Sequence, residues 1–371
     1  MKKRKIAWVT ADYFVDCDIS ILPQLNSKYC IFWFVLLPKR KSRFSKDQIE
    51  QSNRDVRTFF YEVKYRFRDL RMIGVYIHLI RTLLSVKPDL VYFNLQGFPY
   101  FAFLIALFFK KKKVVFAVHQ AVAHKGMRFR RLISFYFSFL YRYFLWFHLF
   151  SKTQLHLFKK KFPKKKTFFI PLGLKDYGNS TCEAPKDQVV FFNFGNIISS
   201  KNISLLINAA CLIYEEGYRG FKVCIYGACD NWNVYQKLIK YPEIFDLKIE
   251  LIDNSDIADI FTSSHYLVLP YSSVSQSGPL KIAFNYNIPV IASDLEEFKN
   301  EIVNEYAGML FENNNLTDLT RVMKKVLVEH PQLYNKLKNR LVTDVASRYG
   351  NDLILNGYDE MFQFILSDEK R

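Results

Sequence analysis

The sequence predicts an α/β protein built from two parallel, doubly wound sheets, and three observations carry that expectation. The 371 residues are enough for two domains of ordinary size. Short β-branched or aromatic runs alternate with amphipathic helical stretches along the whole length, as repeated βα units require. A polar, aperiodic segment at residues 177–188, carrying Gly178, Ser180 and Pro185, separates two such series. Half the residues are apolar and 24% are charged, which excludes a disordered chain.

In the first series, strands are expected at Lys5–Thr10, Tyr29–Leu36, Phe59–Val63, Leu90–Leu95, Val114–His119 and Phe168–Leu172. Between them, Arg71–Val86 reads as a helix with Ile73, Val75, Ile77, Ile80 and Leu83 on one broad face. Leu132–Phe150 reads as a single buried or interfacial helix. In the second series, strands are expected at Val189–Gly195, Phe221–Gly227, Leu247–Ile252, Tyr266–Pro270 and Pro289–Ser293. These runs are apolar throughout, as strands covered on both faces should be. Gly357–Leu366 reads as a short amphipathic helix. The plan is therefore a first domain at residues 1–176, a linker at 177–188, a second domain at 189–346 and a helical tail at 347–371 packing back toward the first. Two Rossmann-like domains of this kind are expected to face across a cleft, with ligands at the carboxyl ends of the strands.

Charge is unevenly placed. Residues 1–180 hold 35 basic and 10 acidic residues, whereas residues 181–371 hold 18 basic and 25 acidic. Residues 101–180 contain 17 basic residues and one acid, Asp176. Such a half should sit against something anionic. No recognised nucleic-acid module is present, so nucleic acid is not the expected partner. The apolar run Phe98–Phe109 spans only about 18 Å as a helix, short of a ~30 Å hydrocarbon core. Lys110–Lys113, Arg128, Arg130, Arg131 and Lys159–Lys161 with Lys164–Lys166, among many aromatics, suit peripheral docking on the inner face of an anionic membrane. The six cysteines form no C-x-x-C pair, which fits reduced thiols in the cytoplasm and no structural zinc.

Two segments carry chemistry. In Phe191–Ala210 a strand ends at Gly195, the loop NIISS follows, and a helix is expected to begin near Ser200 or Lys201. Gly195 permits close backbone approach, the helix N-terminus offers unpaired N–H groups, and Lys201 adds a full positive charge. In Ser263–Asp294 a strand ends at Pro270, and Gln276-Ser277-Gly278-Pro279 opens another helix. Two such helix ends suit the two phosphates of a nucleoside diphosphate. In the first half, His119 closes a strand, with His124 and Gly126 beyond it. Asp12, Asp16 and Asp18 follow the first strand; Asp16-Cys17-Asp18 formally matches a D-x-D metal motif, but the two-domain pattern argues against that use. Asp12 or Asp16 could instead accept a proton from an acceptor hydroxyl.

Residues 165–330 resemble the C-terminal half of GT-B glycosyltransferases of the group 1, or family 4, type. The resemblance rests on the strand ending in Gly195, on KNISLLINA, IYG, HYLVLP, IPVIASD and YAGMLF, in that order. It implies that Lys201 binds the donor diphosphate, and that Gly195, Gln276, Ser277, Gly278 and Pro279 line the donor site with Asn196 and Lys281. Asn196 stands where the family commonly has arginine. The family's paired glutamates would fall near Val274 and Ile282 and are absent, so ribose recognition must differ. His119 resembles the histidine that contacts the donor sugar, and Asp16 falls on the acceptor side. The resemblance also implies retention of anomeric configuration. The expected reaction moves a sugar from a nucleotide-sugar donor to a lipid-linked or polysaccharide acceptor of the bacterial cell surface, such as lipopolysaccharide, without metal or other cofactor. Its charge problem is the growing negative charge on the leaving diphosphate. A non-catalytic binding protein of the same fold, and a nucleotide-sugar epimerase, are the competing expectations.

Overall fold

The computed structural model describes residues 3–39, 42–66, 69–95, 99–122 and 130–368. It divides into two compact units, Met1–Gly173 with Asn351–Arg371, and Leu174–Gly350. Each is built on one fully parallel sheet.

The sheet of the first unit comprises β1 (Lys5–Ala11), β2 (Cys30–Pro38), β3 (Arg57–Val63), β4 (Leu90–Asn94), β5 (Val114–Val118), β6 (Trp146–Leu149) and β7 (Lys166–Phe169). Its order is β3-β2-β1-β4-β5-β6-β7, so the direction of winding reverses between β1 and β4. At that point Thr10 lies opposite Asn94. β1, β4, β5 and β6 are buried almost end to end because helices cover both faces. Much of the aromatic content goes into this core, where Phe93 stacks on Phe116 at 5.0 Å and Phe116 meets Phe144 at 4.7 Å. The buried His148 receives the Tyr92 hydroxyl on Nδ1 at 2.6 Å and donates from Nε2 to the Ile170 carbonyl at 2.9 Å. Only the Nε2–H tautomer satisfies both bonds, and burial lowers its pKa to about 4.

Three expectations need correction here. Leu132–Phe150 is not one helix: the helix is Arg130–Tyr143, and Trp146–Leu149 is the strand β6. A continuous aromatic run has no period that separates a buried strand from a buried helix. On the helix Met72–Val86 the buried face is Met72, Tyr76, Leu79, Ile80 and Leu83, while Ile77 is exposed. The helix expected at Gly357–Leu366 runs from Asn351 to Asp368. Gly357 lies within it, where a Cβ would sit 3.2 Å from Ile170 Cγ1, so the residue serves close packing rather than a helix start. That helix packs on the first unit. Tyr358 meets Trp8 at 5.2 Å, and Asp359 accepts from Lys28 at 2.7 Å and Tyr29 at 2.5 Å.

The second unit's sheet comprises β8 (Val189–Phe194), β9 (Phe221–Tyr226), β10 (Phe245–Lys248), β11 (Tyr266–Leu269), β12 (Val290–Ser293) and β13 (Gly308–Phe311). Its order, β10-β9-β8-β11-β12-β13, places the reversal between β8 and β11. β10 is shifted toward the N-terminus from the expected Leu247–Ile252. Residues 175–188 form no regular element. Among the described residues no helix is long and apolar enough to cross a membrane.

Candidate active site

In the second unit, local sequence builds one cluster at the carboxyl edge of the β8–β11 reversal. Gly195 leaves β8 at φ 97°, a left-handed value that favours glycine. Gly227, one residue past β9, takes φ 150°, and a Cβ there would lie 2.2 Å from the Gly195 carbonyl oxygen. The two strand ends are thus pressed together, with the Gly195 amide donating to Tyr226 O at 2.9 Å. The chain then forms a single 3-10 turn, Ser199–Lys201, and enters the helix Ile203–Glu215 through Asn202 at φ 50°. The α-helix therefore starts two residues later than the sequence suggested.

This turn folds Lys201 back over the strand end. Its ammonium lies 3.1 Å from where a Gly195 Cβ would be, donates to Phe194 O at 3.2 Å, and sits 5.0 Å above the Tyr271 ring. Pro279 Cγ approaches the same Gly195 position to 3.7 Å. Ser272 donates its amide to Ser200 O at 2.9 Å and so ties the loop after β11 to the turn. The helix Gly278–Asn285 opens against this cluster, with Ser277 as its cap accepting from the Leu280 amide. Lys201, Gly195, Ser277, Gly278 and Pro279 are therefore neighbours. Asn196 is exposed in the loop, and Gln276 is half-buried just before the cap.

Lys281 does not join them. It is 2% exposed, its ammonium pairs with Glu301, and it lies 3.7 Å above the Tyr349 ring. Glu301 and Tyr349 therefore hold its ammonium in the interior, away from the cluster. Ile282 is buried in the core and Val274 is half-buried; neither offers a ribose a partner. The sequence reading missed Lys175. It is 6% exposed, and its ammonium lies 3.3 Å from the Gly278 Cβ position, so a second cation lies at the start of that helix. Nothing local to residues 170–178 signals this, because the neighbour is more than one hundred positions away.

In the first unit the structure gathers His119, Asn94 and Asp18 at the β1–β4 reversal. His119 Nε2 meets Asn94 Oδ1 at 2.8 Å. Its ring lies between Phe14 at 3.7 Å and Phe150 at 4.5 Å, both nearly parallel to it. Asp18 is buried and accepts from Trp8 Nε1 at 2.9 Å, from Asn94 Nδ2 at 3.1 Å and from the Thr10 hydroxyl. Burial raises its pKa to about 7 despite those donors. Asp16 is buried separately, accepts from the Cys17 thiol at 3.3 Å and lies 3.8 Å from Arg43. The two carboxylates serve different partners. Asp12 takes the Ser42 hydroxyl, and burial raises its pKa. His124, Gly126 and Arg128 lie outside the described residues.

Residues 181–341 match the family model for glycosyl transferases group 1. No curated protein matches the chain in sequence. Among solved structures, sucrose-phosphate synthase from Thermosynechococcus elongatus is similar with a TM-score of 0.78 and 11% identity, over 99% of this chain and 100% of that one. HepE of Anabaena, solved with UDP and glucose, gives 0.75 and 13% over 97% and 99%. WaaG, a glycosyltransferase involved in lipopolysaccharide biosynthesis, gives 0.68 and 12% over 96% and 99%.

Proposed function

Since the chain carries a glycosyl transferases group 1 domain on a GT-B frame and is a sugar-transferring enzyme, we propose that it moves a sugar from a nucleotide-sugar donor to a polysaccharide or lipid-linked acceptor in bacterial cell-surface glycan synthesis. The observation that carries this is the Lys201 ammonium held against Gly195 and beside the opening of the helix Gly278–Asn285. Departure of the nucleoside diphosphate concentrates negative charge on its distal phosphate. A fixed ammonium and a helix N-terminus are already oriented for that charge and need no reorganisation as it develops. Gly195 keeps the strand end open to the diphosphate, and Ser277, Gly278 and Pro279 present backbone to it. Asn196 and Gln276 flank the same site, and Lys175 adds a second cation at the helix start. Lys281 is left out, its charge already matched by Glu301. His119 orients the donor sugar, and Asp16, with Arg43 3.8 Å away, serves the acceptor hydroxyl.

The test is a melting experiment with UDP, GDP, ADP and their sugars. Ligand at a hundredfold excess over its Kd stabilises the native chain by about 2.7 kcal/mol, which raises Tm by several degrees. HepE was solved with UDP, so UDP is the first probe. A flat response to all three nucleotides overturns the reading.

The acceptor side includes a membrane. The helices Pro99–Phe108 and Arg130–Tyr143 expose Phe103, Leu107, Phe108, Leu132 and Phe135, an apolar patch that folding leaves uncovered. Lys110–Lys113, Arg131 and Arg142 belong to the same stretch of chain, with no acid among residues 101–175. Exposed apolar side chains and cations on one stretch of chain match an anionic bilayer surface. Reversing Lys111, Lys112 and Lys113 to Glu is expected to weaken co-sedimentation with phosphatidylglycerol vesicles by at least about 100-fold, at ~1 kcal/mol per charge. Equal sedimentation of the variant and the native protein removes the membrane from the proposal.

A further inference from the structure

We propose that Asn94 is a positioning residue that transmits the charge state of Asp18 to His119 and so fixes which imidazole nitrogen carries the proton. The inference rests on the assignment of His119 to the donor sugar, but its geometry stands without it. Asn94 ends β4 opposite Thr10 at the β1–β4 reversal, where ligands of such sheets bind. Its Nδ2 reaches Asp18 Oδ1 at 3.1 Å and Oδ2 at 3.3 Å. With the amide nitrogen turned to the carboxylate, the amide oxygen must face the other way, and there it meets His119 Nε2 at 2.8 Å. An amide oxygen only accepts, so Nε2 must donate. A neutral His119 then holds its proton on Nε2 and presents Nδ1 as an acceptor. Phe14 and Phe150 clamp the ring on both faces and so hold Nε2 toward the Asn94 amide.

Asp18 is the part that titrates. Facing it are Trp8 and Thr10 from β1, Asn94 and Tyr92 from β4, Tyr358 from the C-terminal helix, and Asp16 and Cys17 from its own turn. Its pKa is raised to about 7, chiefly by burial, so near neutrality it exchanges between carboxylate and acid. As a carboxylate it accepts only, and the Asn94 amide is locked. As an acid it can donate to Asn94 Oδ1, which frees the amide to turn over. The NH2 group then faces His119 Nε2, and the imidazole must carry its proton on Nδ1. No bond other than O–H and N–H is made or broken, and solvent supplies the proton to Asp18 and exchanges those of the ring.

The stability linkage has a definite sign. A carboxyl whose folded pKa lies above its unfolded value stabilises fully below the unfolded value, near 3.8, and loses that contribution as pH rises through about 7. Asp18→Asn should therefore remove a pH-dependent loss of stability over that window.

The test uses the full chain labelled with 15N-histidine, with the His119 signals assigned by their loss in His119→Gln. At pH 8 the native protein is expected to show His119 as the Nε2–H tautomer. In Asn94→Leu, which keeps the volume and deletes the amide, both tautomers should be populated, and turnover should fall at least tenfold at unchanged donor KM. In Asp18→Asn the break near pH 7 in the kcat profile should vanish. A native His119 in the Nδ1–H form at pH 8, or an Asn94→Leu protein with native tautomer and native kcat profile, overturns the proposal. If Asp18→Asn does not fold, the native tautomer followed from pH 8 down through 7 decides alone, and a tautomer that never changes removes Asp18 from the scheme. If His119→Gln turns over normally, the assignment of His119 to the reaction fails, while the tautomer measurement still judges the relay.

Discussion

Lys201→Ala lowers turnover by about 10²–10³-fold, the range found when one preorganised charge donor to a developing oxyanion is removed. The side chain is half-buried and hydrogen-bonds to Phe194 O, so truncating it forfeits that bond without opening the apolar core. Its contact with Tyr271 is worth roughly 0.5–1 kcal/mol, which moves Tm by only a few degrees. Activity and stability therefore separate: the variant melts close to the native protein and turns over poorly. Lys201→Arg does not rescue it. A planar guanidinium spreads its charge over a fork and does not reproduce the compact ammonium held over Phe194 O and Tyr271. The measurement is release of nucleoside diphosphate from the sugar donor identified by the melting screen. Native turnover in Lys201→Ala removes the lysine from the leaving-group site and with it the main support for the proposed chemistry.

Gly227→Ala abolishes the folded second unit. A methyl group at this position would stand 2.2 Å from the Gly195 carbonyl oxygen and 2.6 Å from its carbon. Both are backbone atoms, so no rotamer change relieves the clash. Moving Gly195 would break its amide bond to Tyr226 O, and moving Gly227 would break its amide bond to Lys248 O. The φ of 150° adds strain that any L side chain would feel. The expected loss exceeds about 4 kcal/mol, beyond the ordinary range for one substitution. Gly178→Ala is the control. It also has positive φ, at 97°, but nothing lies within 4 Å of its Cβ position. It should cost only the conformational strain, about 1–2 kcal/mol. Urea unfolding followed by intrinsic fluorescence distinguishes the two, and similar midpoints for both variants would contradict the argument.

What the sequence disclosed follows from how far apart the interacting residues lie. Gly195, the loop and Lys201 are contiguous, and turn chemistry alone brings the ammonium over the strand end. Ser277-Gly278-Pro279 similarly announces its own cap. Adding Lys281 assumed that a lysine near a helix start faces the ligand, whereas Glu301, twenty positions on, neutralises it in the interior. Lys175, and the grouping of Asn94 with Asp18 and His119, stayed hidden for a related reason. They become neighbours only once strand order is known, and order is decided by the sheet as a whole. Asn94 did leave a trace, as the one polar side chain closing the apolar run Leu90–Asn94. The Leu132–Phe150 stretch was misassigned because residues large and aromatic on every side satisfy a buried strand and a buried helix equally.

The path of the chain through the two units has a consequence for biosynthesis. Trp8 and Tyr92 find their covering residues, Tyr358 and Phe362, on a helix that leaves the ribosome after Leu174–Gly350 is already complete. The unit that starts first is thus the last to finish, and the intervening one is synthesised between its two segments. Until translation reaches Asn351–Asp368, two large rings at the heart of the nascent N-terminal sheet stay open to solvent, a natural foothold for a chaperone.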